Sequence, residues 1–111
     1  MSADPEPSDQ QLLERWRAGD KQAGEELLLR YFVSLRSFFL PRLHDEDRVK
    51  DLVQDTLLAA VEKRDRLPEG VPFQAYLFGI ARNKYRQEVG RRANERQRLD
   101  PATESLVSMA V

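Results

Sequence analysis

Apolar side chains recur at three- and four-residue intervals through most of the chain, the period of helices with one buried face. Leu12, Leu13 and Trp16 form the first such group. Ser8, with Gln11 three residues later, makes a reciprocal capping pattern and predicts a short helix running to about Ala18. Gly19 suits its stop, and Asp20 suits the start of the next helix. A second helix is expected over about 21–40. Its stripe of Leu27, Leu28, Tyr31, Phe32, Leu35, Phe38 and Phe39 is wide enough to pack on more than one side. Pro41 should end it, because the residue before a proline avoids the α region.

A third helix opens near Asp45, where acidic residues favour a helix N-terminus. Val49, Leu52, Val53, Thr56, Leu57, Ala60 and Val61 form its inward face. Two prolines and a glycine in Asp65–Pro72 break the pattern into a short, stiff loop. Pro72 suits the first turn of a fourth helix near Phe73. Phe73, Leu77, Ile80 and Ala81 face inward there, with Tyr76 at the edge. Gly90 weakens this helix by roughly 1 kcal/mol relative to alanine, so fraying is expected from Arg91 onward. Residues 1–8 read as a disordered lead-in, and 96–111 as a tail or linker without structure of its own. The pattern as a whole predicts one all-α domain over 9–95, a compact bundle of three to four helices.

Charge changes this picture at one end. Residues 82–98 hold seven arginines and lysines against Glu88 and Glu95, although the whole chain has a formal net charge of −1. Such polarity fits a polyanion partner. It also fits a solvated helix end, since cations favour helix C-termini. A second feature is the line Asp51, Asp55, Leu58 and Glu62, flanked by Gln54, which helical spacing puts on one face of the third helix. It reads either as a solvated face or as a docking surface for a basic partner, with Leu58 as the apolar contact.

Several chemistries have no support. The chain has no cysteine, so disulfides and thiolate metal sites are excluded, which fits a reducing compartment. Its one histidine, His44, lies among acids in a turn and reads as solvated rather than as a metal ligand. There is no phosphate-cradling glycine loop and no nucleophile–base set, and Asp51 with Asp55 lacks a partner across a cleft. No enzyme activity, cofactor or metal is expected. No apolar run is long enough to span a bilayer and the N-terminus does not read as a secretory signal, so a cytoplasmic protein with no membrane partner is expected.

Three stretches in order resemble a known family. Leu13–Asp20 reads LERWRAGD, Arg48–Val61 reads RVKDLVQDTLLAAV, and Phe73–Asn83 reads FQAYLFGIARN. They are similar to region 2 of the sigma-70-type initiation factors of bacterial RNA polymerase, most of all the extracytoplasmic-function group, over about residues 10–95. The chain has Tyr76 where the family usually has Trp, Gly79 where it often has Arg, and Gln87-Glu88 near its usual late Asp; Gly90 interrupts a typically Leu-Arg-Arg stretch. The resemblance implies a sigma-2 domain whose Asp51, Gln54, Asp55 and Leu58 dock on the clamp helices of the polymerase β′ subunit. It further implies that the 65–72 loop and the last helix recognise and help melt the −10 promoter element, on the non-template strand. Arg66, Arg82, Asn83, Arg86, Arg91 and Arg92 would contact that DNA, Asn83 at the pocket for an extruded base. An anti-sigma factor is a further partner of this kind of protein. Family members also carry a sigma-4 domain; none is present here, and the tail resembles the start of an interdomain linker, so the chain reads as a fragment. Two other readings remain: a helical protein-interaction module unrelated to transcription, and a general helical DNA-binding domain.

Overall fold

A computed structural model of the chain describes residues 5–97. The lead-in expected over 1–8 and the tail expected over 96–111 therefore fall, for residues 1–4 and 98–111, outside the described residues. The rest forms an all-α bundle of α1 (Asp9–Arg17), α2 (Lys21–Arg30), α3 (Phe32–Leu43), α4 (Glu46–Lys63) and α5 (Phe73–Gln97), with a 3-10 turn at Arg64–Arg66. No described helix is long and apolar enough to cross a membrane.

The expected starts hold. Ser8 Oγ accepts from the Gln11 amide at 3.1 Å, and Gln11 Oε1 accepts from the Ser8 amide at 2.8 Å. Asp20 caps α2 and Asp45 caps α4 through their side chains. The α1–α2 corner closes because Gly24 lets Trp16 approach. A Cβ on Gly24 would fall 2.5 Å from the indole nitrogen, so alanine there would force the ring away.

The expected second helix is broken at Tyr31, giving α2 and α3. Tyr31 caps one helix and begins the other; its amide donates back three residues to the Leu28 carbonyl at 3.1 Å, tightening the turn. The side chain is held at both ends, its hydroxyl on Asp9 and its ring 5.9 Å from Phe73. Burial and the Asp9 carboxylate push this phenol up to about 12. Pro41 does not end α3, which continues to Leu43. Proline lacks the amide for its own helical bond and its ring crowds the carbonyl four residues back, but it sits in the last turn, and Leu43 beyond it is buried. His44, in the left-handed region at φ 52°, then stops the helix with its amide on the Leu40 carbonyl.

Most expected core positions are buried, among them Leu12, Leu27, Leu35, Phe39, Val49, Leu52, Val53, Phe73 and Leu77. Fully burying such a side chain stabilises the fold by roughly 1.5–3 kcal/mol. Phe32 and Val61 are exposed instead, and Ala59 takes an inward place. Thr56 is buried with its hydroxyl donating to the Leu52 carbonyl at 2.7 Å, so it adds no unmet polar group to the core. Pro72 stands one residue before α5, its carbonyl accepting from the Tyr76 amide at 3.1 Å. Nor does α5 fray at Gly90; it runs to Gln97. Arg91 spans the glycine, pairing back to Glu88 and forward to Glu95, as side chains three and four apart on a helix do.

Candidate functional site

The two candidate surfaces lie on α4 and α5, which pack along each other. The inward face of α4 is apolar, so helical phase turns Asp51, Gln54, Asp55 and Leu58 outward, and all four are exposed. Leu58 keeps 60% of its surface in solvent, which is much for a leucine on a packed helix. Asp51 accepts from Arg48 Nη1 at 3.2 Å. Asp55 makes no side-chain hydrogen bond or ion pair among the described residues. The stripe thus offers two carboxylates one turn apart beside an apolar contact.

The second surface begins at the 65–72 loop. Arg17 of α1 donates through Nε and Nη2 to the Arg64 carbonyl at 3.1 and 2.9 Å, and the Arg64 guanidinium lies over the Trp16 ring. The loop is therefore pinned to α1 at its start. Pro68 to Val71 closes as a turn, with the Val71 amide on the Pro68 carbonyl at 3.2 Å and Gly70 at φ 81°. That angle at the third position of a turn calls for glycine. Arg66 is exposed at the end of the 3-10 turn.

Arg82, Asn83 and Arg86 are all exposed and come together around one shallow hollow. Lys63, Val71, Ala75, Tyr76, Gly79 and Ile80 also line it. A Cβ on Gly79 would meet nothing within 4 Å, so a side chain there would enter open space. Sequence reasoning had the arginines and Asn83 but missed Lys63 and the hollow. The signal was present: Tyr76, Gly79, Asn83 and Arg86 recur at three- and four-residue steps on one face.

Arg91 and Arg92 do not join that hollow. Both turn to Glu88, a carboxylate only 2% exposed on the inward face of α5. Arg91 reaches it at 2.5 and 3.2 Å, and Arg92 at 3.3 Å. Arg48 of α4 makes two further bonds to it, at 3.1 and 2.6 Å. Arg92 also donates to the Leu43 carbonyl at the end of α3. Hydrogen bonds from Arg91 and then Arg48 outweigh the cost of burial and hold the Glu88 carboxyl down at about 2. Sequence reasoning met Glu88 only as a charge and as a departure from the family pattern, and did not place it in the core. The residue sits seven residues after Ala81 and eleven after Leu77, so it continues the buried stripe where an apolar residue would be expected.

The model of the sigma-70 region 2 family matches residues 27–95, from within α2 to near the end of α5. The chain belongs to the sigma-70 region 2 family. Its relatives agree. It is 38% identical over 86 residues, 74% of this chain and 43% of the relative, to the RNA polymerase sigma factor CnrH of Cupriavidus metallidurans. It is 39% identical over 67 residues, 60% of this chain and 37% of the relative, to the ECF RNA polymerase sigma factor EcfG of Rhodopseudomonas palustris. It is 31% identical over 75 residues, 68% of this chain and 39% of the relative, to the RNA polymerase sigma-H factor of Pseudomonas aeruginosa. The chain spans less than half the length of these curated relatives. No solved structure gives a significant match to it. Sigma-70 region 2 is a non-catalytic family.

Proposed function

We propose that this domain serves transcription initiation in the bacterial cytoplasm, docking on core RNA polymerase through α4 and on the −10 promoter element through α5 and the 65–72 loop. The observation that carries the reading is the outward stripe of Asp51, Gln54, Asp55 and Leu58 on α4, at the positions where the sequence resembles the family's docking helix. Asp51 and Asp55 would meet cationic side chains of the β′ clamp helices in charge-assisted bonds, the stronger kind. Leu58 would bury its exposed surface in the same contact.

On the DNA side, the hollow between Tyr76 and Asn83 would receive a base from the non-template strand. Extruding a base costs a few kcal/mol of stacking and pairing. The Tyr76 ring and the Asn83 amide supply a stacking face and hydrogen bonds to offset it. Arg82 and Arg86, with Lys63 beside them and Arg66 on the loop, would follow the phosphates. Arg91 and Arg92 lie further along the same helix and would reach phosphate only by leaving Glu88.

The test is capture of bacterial core polymerase by the chain and by its Asp55→Arg variant. We expect capture by the first and loss of at least tenfold in affinity by the second, with helix content unchanged. Equal capture by both would remove the docking-face assignment. Capture by neither, with both folded, would favour an interaction module unrelated to transcription.

A further inference from the structure

Arg48, Arg91 and Arg92 converge on one point from two helices, and the group at that point is not an external anion but Glu88. Planar guanidinium forks arranged around a common centre are what phosphate recognition uses. Here the centre is filled by the protein's own carboxylate. Both Glu88 oxygens are taken: Arg48 and Arg91 each bond both, and Arg92 adds one more bond. The carboxylate is buried, while the Arg91 side chain keeps 45% of its surface in solvent and Arg92 31%. The anion is thus locked in place and the arginines can turn outward.

We infer that Glu88 is a built-in competitor for nucleic-acid phosphate: it occupies the arginine cluster at the C-terminal half of α5 and withholds Arg91 and Arg92 from a polyanion. The charge surplus of that half overstates its affinity for DNA, because Arg91 is already paired with Glu88 and Glu95, and Arg92 with Glu88 and Asp45. Arg82 and Arg86 stand outside this arrangement, with no ion pair among the described residues. The inference rests on the reading of α5 as the DNA-facing helix but concerns a different half of it.

The experiment measures binding of a mixed-sequence single-stranded oligonucleotide over a range of salt concentrations, with circular dichroism on every protein. Each phosphate contact contributes about 0.7 to the slope of log affinity against log salt on single strands. Glu88→Gln keeps the shape of the side chain and removes its charge. It should bind more tightly and steepen the slope by about 0.7–1.4, one or two added contacts. A folded Glu88→Gln protein with native affinity and slope overturns the inference. Should that variant fail to fold, Arg86→Gln and Arg91→Gln decide, since each removes one charge from the same helix. Loss of slope in the first alone supports the inference, and equal loss in both overturns it. Polymerase capture is read separately, so failure here would leave the docking assignment standing.

Discussion

Arg82 and Arg86 share a helix and a residue type with Arg91 and Arg92, yet the two pairs do opposite things. The first pair lines an open hollow with Asn83 and Lys63. The second closes on a buried glutamate that Arg48 of α4 also holds, and Arg92 reaches the end of α3. Helical phase separates them. At about 100° per residue, Arg86 points roughly 160° away from Glu88, whereas Arg91 and Arg92 lie one turn beyond it on its own side. A count of positive charge does not distinguish ligands for a partner from struts of the fold; the position of the nearest buried carboxylate does.

The comparison breaks most sharply at Glu88. Replacing it with alanine leaves three guanidinium groups crowded around an empty place. These arginines keep 31–45% of their surface in solvent, so the loss is that of hydrogen bonds to a charged group, about 1.5–3 kcal/mol. Urea unfolding of Glu88→Ala should show a loss of that size. A loss under about 1 kcal/mol would mean that water serves these arginines as well as the carboxylate does, and that they are not struts.

Acid should remove the same interaction without mutation. The Glu88 carboxyl is held at about 2 from an ordinary 4.5, chiefly by Arg91 and Arg48. A lowered folded value means that the stabilisation is complete above about pH 4.5 and is lost as pH falls toward 2. The shift corresponds to about 3 kcal/mol, at 1.36 kcal/mol per unit. Other carboxylates titrate in the same range, so the difference between the native chain and Glu88→Gln is the quantity to measure. Their stabilities should converge as pH drops from 4.5 to 2. A constant gap across that window would contradict the role given to Glu88.

The same contrast marks what the sequence could and could not reveal. The inward faces of α4 and α5 were legible because burial imposes a period on side chains, and Val49, Leu52, Phe73 and Leu77 obey it. Caps at Ser8, Asp20 and Asp45 were legible because they satisfy amides within a few residues. The break at Tyr31 was not, since its cause is an attachment to Asp9, far away along the chain. The extent of α5 past Gly90 was not, because Arg91 and Arg92 repay the glycine through partners that include another helix. The hollow was half legible: its arginines and Asn83 stood out as residue types, whereas Gly79 lines it without a side chain.

The smallest expected effect sharpens the contrast from the other side. Arg82→Gln and Arg86→Gln touch exposed side chains with no ion pair among the described residues, so together they should change stability by no more than about 0.5 kcal/mol. Arg92→Gln loses its bonds to Glu88 and to the Leu43 carbonyl, both 3.3 Å long, and should cost about 1–2 kcal/mol. Thermal unfolding of the double variant beside Arg92→Gln checks this on one helix. Equal stability in the two would mean that Arg92 is as dispensable to the fold as the arginines of the hollow. The ordering expected here instead makes the first half of the basic stretch available for contacts outside the molecule, while the second half is engaged within it.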